Sequence, residues 1–252
     1  MTLTSLNRWT ASALHLALSA FFALIILILV LAVWYPRPYF EAMGGETLLR
    51  LLIGVDVVIG PLITLIIFDP AKPRLKYDLA VIGALQIAAI VYGSIVMFEA
   101  RPVYNVFVAD RFEMIAANTI DSESLAKAGP GYSRLPLAGP RIAAARKPSN
   151  ANEQARIALD SLGGGPDLAH LPHLYVQYAD VAADVARVAK PLSMLSSRSP
   201  DAAEKVQSFI ATSGRSDASV GFVPVRARNE DLAAIVDRKT GEVVGYLAIR
   251  PW

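Results

Sequence analysis

The chain has 252 residues, 54% of them hydrophobic, with a formal net charge of +2 at pH 7. A net charge this small provides no strong basic field for nucleic acid, and the lack of cysteine excludes disulfides, thiolate metal sites and thiol nucleophiles. Most of the apolar excess lies in the first hundred residues, whereas the rest has an ordinary soluble composition and is long enough for one domain with its own core.

A first apolar run extends from Ser12 to Trp34, and His15 is its only ionisable side chain. A helix of this length is roughly 34 Å long, enough to cross the hydrocarbon core of a bilayer. The run is longer than the apolar core of a signal peptide, and it ends without the small residues that cleavage requires. We therefore expect the segment to be retained as a membrane anchor.

Two further apolar runs, Leu48–Phe68 and Leu79–Phe98, predict a second and a third membrane span. The short segment between them, residues 69–78, contains two prolines that break the helix and three basic residues. Basic residues concentrate in short loops on the cytoplasmic side of a membrane. The pattern therefore predicts a cytoplasmic N-terminus, a cytoplasmic loop 69–78, and an outer location for loop 35–47 and for everything from Arg101 onward.

Residues 101–252 have the mixed pattern of one α+β domain. The sequence therefore predicts a three-helix transmembrane domain over residues 1–100 followed by one extracytoplasmic α+β domain. We predict a long strand over 101–120 and later strands over 221–228, 232–237 and 242–249. Predicted helices cover residues 152–162, 178–189 and 200–212. A sheet with helices on one face is similar in outline to extracytoplasmic PAS or Cache-like modules.

Sequence motifs that would indicate catalysis, a cofactor or a metal are absent. His170 and His173 provide two imidazoles with a proline between them, whereas zinc takes three or four ligands. The glycines at 163–165 lack the lysine and hydroxyl residue of a nucleotide-binding loop, and neither a serine-hydrolase elbow nor a zinc-protease motif occurs. A dyad of Ser193 with Lys190 has nothing to fix its geometry. We expect a protein that is not an enzyme and needs no cofactor or metal.

Asp56 is the most informative single residue, because it lies near the middle of the second predicted span. A carboxylate near the bilayer midplane costs at least about 2.5 kcal/mol, so such residues face other helices or water, or are protonated. Asp56, Gly60 and Thr64 recur every fourth residue and share one helix face, while Pro61 removes a backbone donor. Arg50 is about 9 Å from Asp56 along the axis and on another face, so we expect it to reach the outer interface instead.

The third predicted span carries a matching stripe of small and polar residues: Gly83, Gln86 and Gly93. Small residues allow helices to approach closely, and polar ones hydrogen-bond between helices. Two interpretations stay open. The stripes hold the second and third spans together, or they form part of a groove for a transmembrane helix of another protein. A single acid and no inverted repeat make a transporter a poor third alternative.

Short motifs follow one another in order along the chain: Tyr35-Pro36-Arg37-Pro38-Tyr39-Phe40, Gly44-Gly45, Gly54-Val55-Asp56, Gly60-Pro61-Leu62, Lys76-Tyr77-Asp78-Leu79, Ala100-Arg101-Pro102-Val103-Tyr104, Phe107, Asp110-Arg111-Phe112 and Arg250-Pro251-Trp252. Together they resemble the TfpX/TfpZ group of type IV pilin accessory proteins, closely over residues 35–112 and less so elsewhere. The resemblance implies a bacterial inner-membrane protein with a periplasmic C-terminal domain. It would act as an accessory factor or chaperone that helps its cognate major pilin become stable or enter the pilus.

The partners implied by this resemblance are the type IV major pilin, contacted through its transmembrane helix, its head domain or both, and the lipid bilayer. No nucleic acid is expected, and a homo-oligomer is a further alternative. As a hypothesis, the pilin helix is bound in a groove lined by Asp56, Gly60, Pro61, Thr64 and Gln86. A carboxyl group on the pilin helix would then lie close to Asp56, which requires a shared proton or a nearby cation.

A second hypothetical contact surface lies just after the third span and comprises Arg101, Tyr104, Asp110 and Arg111. The alternative for residues 101–104 is a rigid elbow, in which Pro102 fixes the exit angle and Arg101 meets lipid headgroups. Asp110 and Arg111 could equally form a local ion pair worth under ~1 kcal/mol.

Two other functional classes are weaker. A membrane-anchored periplasmic sensor would bind a small ligand in a Cache-like domain, but the cytoplasmic parts predicted here include no output domain. A pilin-modifying enzyme such as a glycosyl transferase is supported by no acid pair and no nucleotide motif.

The predicted orientation can be tested with topology reporters. Fusions of alkaline phosphatase, which is active only outside the cytoplasm, should be active after residue 252 and inactive in loop 69–78, because that loop carries the basic residues. A fluorescent protein that matures only in the cytoplasm, fused at the same two sites, serves as the reciprocal control. A cytoplasmic C-terminal half would contradict the orientation.

Overall fold

The computed structural model describes residues 7–252, and the chain divides into two compact units. The first, here called the helical unit, consists of the chain up to Pro36 together with Gly45–Ala100. The second, called the sheet unit, consists of Arg37–Gly44 together with Arg101–Trp252. The predicted fold class is confirmed, because three helices long and apolar enough to cross a membrane accompany one α+β domain.

The helices are α1 (Arg8–Leu29), α2 (Tyr39–Ala42), α3 (Gly45–Ile53), α4 (Gly60–Ile67), α5 (Leu75–Glu99), α6 (Ser122–Ala126), α7 (Ala151–Leu162), α8 (Ala182–Val188), α9 (Ser193–Ser196) and α10 (Pro200–Ser213). The strands are β1 (Pro102–Val108), β2 (Arg111–Ala116), β3 (Arg141–Ala145), β4 (Tyr175–Val176), β5 (Val220–Arg226), β6 (Leu232–Asp237) and β7 (Val243–Leu247). Wide π-helical turns follow α1 over Val30–Trp34 and separate α3 from α4 over Gly54–Ile59.

The three candidate membrane spans are Arg8–Trp34, Gly45–Ile67 and Leu75–Glu99, called the first, second and third spans below. The first is capped by Asn7, whose side chain accepts a hydrogen bond from the backbone N–H of Thr10, while the Thr10 side chain accepts one from the backbone N–H of Asn7. This reciprocal cap explains why the helix starts before the apolar run, since capping needs polar residues.

The second span accommodates Pro61 without breaking. Pro61 lies in the first turn of α4 and has no N–H to donate to the preceding turn of the helix. The helix is irregular just before α4, in the wide turn Gly54–Ile59 that contains Asp56. Arg50, in the same span, pairs with Glu46 four residues earlier.

The second span lies between the first and the third, packing against both. At one end of the helical unit, the Tyr35 hydroxyl donates to the Met97 carbonyl at 2.9 Å, and the rings of Trp34 and Phe98 have centroids 5.3 Å apart. Both contacts join the end of the first span to the end of the third, so the three spans form one packed unit.

The sheet unit is built on a seven-stranded mixed sheet in the order β4-β3-β1-β2-β5-β6-β7. Strands β1 and β2 are antiparallel, as are β3 and β4, and β5, β6 and β7 form an antiparallel meander. Two parallel pairings, β1 with β3 and β2 with β5, join these three groups into one sheet. One core cluster covers β1 and β3, and another packs α9 and α10 against β5 and β6.

The predicted long strand over 101–120 is wrong, because the chain turns back between β1 and β2. The turn falls at Ala109 and Asp110, and Ala109 has a φ of 56°. No glycine or proline marks this turn, so the residues on both sides read as one continuous strand. The predicted helix over 178–189 is also shorter, since Tyr178–Val181 is a 3₁₀ turn.

Strands β3 and β4 have no counterpart in the sequence prediction: three of the five residues of β3 are alanine, and β4 is only two residues long. The helices predicted at 152–162 and 200–212 and the strand at 232–237 lie where expected.

Residues 37–44 belong to the sheet unit, although the sequence indicated only a loop between two spans. The backbone N–H groups of Asn229 and Glu230 donate to the Ala42 carbonyl at 2.9 and 3.2 Å. The ring of Tyr39 packs edge-on against Tyr246 at 5.3 Å, and burial raises the pKa of Tyr39 above its ordinary value. The first inter-span loop is therefore an integral part of the sheet unit.

The strained turn at Ala109 generates a stability prediction. Ala109→Gly should raise the free energy of unfolding of the sheet unit by about 0.5–1 kcal/mol, because glycine adopts a positive φ without the steric cost that alanine pays. Ala116→Gly is the matched control: Ala116 has a φ of −84°, so glycine should destabilise there. Chemical denaturation of the detergent-purified chain checks both, and a destabilised Ala109→Gly would contradict the turn.

Candidate functional site

Asp56 lies where the three spans meet. The residue is 3% exposed, and its Oδ1 atom has no hydrogen-bond partner among the described residues. A small cavity beside it is lined by apolar side chains of all three spans: Ala23, Ile26, Leu52, Ile53 and Ile90. An unpaired carboxyl group in hydrocarbon is costly, and an ionisable residue inside a span is by default a candidate for function.

His15 connects the three spans through a polar network, defined here as His15, Thr64, Gln86 and the Asp56 carbonyl. Its Nδ1 atom is 2.6 Å from Thr64 Oγ1, and its Nε2 atom contacts Gln86 Oε1. The Gln86 amide nitrogen donates to the Asp56 carbonyl at 3.2 Å, which directs the amide oxygen toward His15. In the neutral imidazole, Nε2 therefore carries the proton and donates to Gln86, while the Thr64 hydroxyl donates to Nδ1.

Gly60 makes this network sterically feasible. A Cβ atom at position 60 would lie 1.8 Å from Gln86 Nε2 and 2.7 Å from Gln86 Cδ. Gly93 has a similar role, because a Cβ atom there would lie 2.5 Å from Leu52 Cδ1. Gly83 differs, since nothing lies within 4 Å of its Cβ position. Two glycines of the predicted stripes thus allow the second and third spans to approach closely.

The polar residues predicted for a groove lie mainly at contacts between spans. Asp56, Gly60, Pro61 and Thr64 are buried in the helical unit, and Gln86 is half-buried. The Pro61 carbonyl also accepts a hydrogen bond from Ser12 of the first span at 2.9 Å. The structure therefore places these residues at contacts between the spans, and it adds the first span to the contact that the sequence indicated for the other two.

An open groove, called the 1–3 groove below, lies between the first and third spans and has a volume of about 400 Å³. Thr64 and Phe68 of the second span are buried at its base. Its polar lining comprises His15, Ser19, Thr64 and Gln86, and its walls include the apolar side chains Leu14, Leu18, Phe22, Ile87 and Ile90. A mostly apolar groove with a polar base is suited to a transmembrane helix that carries a polar group.

His15 is the residue that the sequence prediction missed as part of the site. It was identified only as the one ionisable side chain of the first run. The same signal that identified Asp56, an ionisable group inside an apolar run, was available for His15. What the sequence could not supply was the proximity of His15 to Thr64 and Gln86.

Arg101 and Tyr104 do not form a surface after the third span. Arg101 is 4% exposed, and its guanidinium donates to the Pro136 carbonyl from Nε and Nη2 at 3.2 and 2.9 Å. Tyr104 is fully buried, with its ring 5.2 Å from that of Tyr175. The expectation that Arg101 meets lipid headgroups is wrong, because its charge is used inside the sheet unit to bind a backbone carbonyl.

Arg111 and Asp110 are placed at the β1–β2 turn. Arg111 Nη1 lies 3.5 Å from Asp110 Oδ1, and Nη2 lies 2.8 Å from Glu113 Oε1. Arg111 also borders a cavity of about 380 Å³ together with Lys147 and Asp167. A hydrogen bond with His170, 2.7 Å long, holds the pKa of Asp167 below its ordinary value. The local ion pair given as the alternative for Asp110 and Arg111 is present, with Glu113 as an additional partner of Arg111.

No group of three or more potential metal ligands occurs within residues 7–252. His170 pairs with Asp167, and His173 lies between Ser124 and Glu153, at 3.3 and 3.9 Å. Each histidine of the sheet unit thus lies next to an acidic residue.

Comparisons with known proteins identify relatives of the chain. Residues 5–44 match the family model described as fimbrial assembly protein FimB. The chain is 35% identical over 185 residues to the fimbrial assembly protein of serogroup I from Dichelobacter nodosus, an alignment that covers 72% of this chain and 71% of the relative. The serogroup E1 protein of the same organism matches at the same identity and coverage.

A shorter relative, the fimbrial assembly protein of serogroups C1 and C2 from the same organism, is 38% identical over 120 residues, which cover 46% of this chain and 91% of that protein. No solved structure matches the chain.

The close contact at Gly60 generates a prediction for the helical unit. Gly60→Ala should destabilise the packing of the second and third spans by about 1–3 kcal/mol, because the new methyl group displaces Gln86 from the polar network. Gly83→Ala, at a position with open space, should be neutral. Thermal stability in detergent checks both variants. A combined Gly60→Ala/Gln86→Ala variant should recover part of the loss, and equal effects at positions 60 and 83 would contradict the contact.

Proposed function

This chain belongs to the family of fimbrial assembly proteins, and we propose that it is an inner-membrane accessory factor, or chaperone, for the cognate type IV pilin. In this proposal it is a member of the TfpX/TfpZ group and is not an enzyme. It binds the monomeric pilin in the membrane, protects it from proteolysis and premature association, and releases it for assembly into the fimbria.

The observation that carries the proposal is the 1–3 groove. A membrane-inserted helix has its backbone hydrogen bonds satisfied, so its partners recognise it by close packing and by polar side chains. The groove offers both, with apolar walls such as Leu18 and Ile87 and a polar base at His15 and Gln86. We propose that the pilin helix packs there, with Asp56 behind the base of the groove.

The sheet unit has a separate part in the proposal. The basic loop 69–78 favours a cytoplasmic location for that loop, so the chain after the third span would enter the periplasm. The globular head of a membrane-inserted pilin lies in the same compartment. The sheet unit would therefore be free to contact the head while the helical unit binds the transmembrane helix.

The groove can be tested by site-specific photocrosslinking in the bacterium. A photoreactive amino acid at Leu18 or Ile87, which line the groove and are 56% and 66% exposed, should crosslink to pilin. The matched control is Ile66 of the second span, which is 76% exposed but does not line the groove. Equal crosslinking from all three positions, or none from positions 18 and 87, would contradict binding in the groove.

A deletion strain tests the function itself. Loss of the gene should lower the steady-state amount of pilin and the number of surface fimbriae, because unprotected pilin is degraded or fails to assemble. Restoration by the wild-type gene is the control. Normal pilin and normal fimbriae in the deletion strain would overturn the proposed function.

A further inference from the structure

The last strand of the sheet, β7, has an unpaired edge. It pairs antiparallel with β6, with Ala233 opposite Leu247 and Ile235 opposite Gly245. It is the terminal strand in the sheet order, and no backbone hydrogen bond connects its other side to another segment within residues 7–252. The edge therefore presents a row of free backbone donors and acceptors.

This edge lacks most of the features that protect sheet edges from pairing. Soluble proteins use very short edge strands, charged side chains, prolines or bulges for this purpose. The opposite edge strand, β4, is only two residues long, and its Val176 carbonyl accepts a hydrogen bond from the Tyr132 hydroxyl at 3.0 Å. Strand β7 has five uncharged residues without proline, and its one register shift lies at its start, opposite Val236.

Both faces of β7 are fixed inside the sheet unit, so the strand is held in an extended conformation. On one face, Val244 and Leu247 pack against the cluster that contains α10. On the other, Tyr246 contacts Tyr39, and its hydroxyl accepts a hydrogen bond from Asn105 at 3.0 Å. A rigid extended edge with free backbone groups is complementary to another extended strand, which is the basis of strand addition.

The charges at the two ends of β7 indicate which other strand pairs with this edge. Glu242 precedes β7 and Arg250 follows it by three residues; both are exposed, and neither has an ion-pair partner within the described chain. In an antiparallel pair of identical strands with its two-fold axis at Tyr246, residue 242 of each copy lies opposite residue 250 of the other. The charges that flank the edge are thus self-complementary about this axis.

We propose that β7 is a dimerisation edge, where a second copy of this chain pairs antiparallel with the first and joins the two sheets into one. Glu242 of each copy then forms an ion pair with Arg250 of the other. The backbone bonds supply affinity, while the two symmetric ion pairs fix direction and register. The inference is independent of the proposed pilin binding.

A charge-swap experiment tests the edge in the full-length protein. Two differently tagged copies are expressed together in a strain without pilin, extracted in mild detergent, and captured through one tag. Wild-type copies should co-purify. Glu242→Arg or Arg250→Glu should each reduce co-purification by roughly fivefold, because each converts two exposed attractions into repulsions. The double variant should restore it, since the swapped charges attract again.

Matched controls exclude general effects of charge. Glu230→Arg and Arg228→Glu make the same changes at exposed residues without ion-pair partners, outside β7, and should leave co-purification unchanged. All the substituted side chains are exposed, so the thermal midpoints should match that of the wild type. Wild-type copies that do not co-purify would overturn the proposal. So would a double variant that stays as weak as the single variants.

Discussion

The helical unit depends on the amide of Gln86 finding partners inside hydrocarbon. Lipid offers no hydrogen bonds, so each polar group within a span must be satisfied by the protein. Gln86 does this by donating to the Asp56 carbonyl of the second span and accepting from His15 of the first. The hydrophobic effect does not drive the association of helices in lipid, so the spans are held together by close packing and by hydrogen bonds between helices. The polar network therefore determines where the three spans meet, and Gly60 provides the space it needs.

The polar network shows which contacts the small and polar residues of the second and third spans make. Most of the small and polar residues in the second and third spans lie at contacts between the spans. The 1–3 groove is open, and its polar base includes His15, Thr64 and Gln86 of the network. Asp56 stands apart, because its carboxyl Oδ1 has no partner among the described residues and contributes nothing evident to packing. In the proposed function, these two features would serve the binding of the pilin helix.

The sheet unit incorporates residues from two distant parts of the chain. Residues 37–44 bind to it through the Ala42 carbonyl and the Tyr39 ring, so the loop between the first two spans is structural. Arg101 is similar: a charged residue directly after a span is buried and binds the Pro136 carbonyl. In both cases, contacts with residues distant in sequence bury side chains that the local sequence places at the surface.

The sequence by itself determined the three spans, the α+β class of the second unit and the position of Asp56 inside a span, because hydrophobic runs, helix caps and an acid in hydrocarbon are local signals. It also located α7, α10 and β6. Only the tertiary structure brought His15 to Gln86, divided the predicted strand at Ala109, and left β7 at an open edge. Each of these depends on which segments become neighbours, and neighbours are selected by hydrogen bonding and close approach across the fold, which periodicity along the chain does not encode.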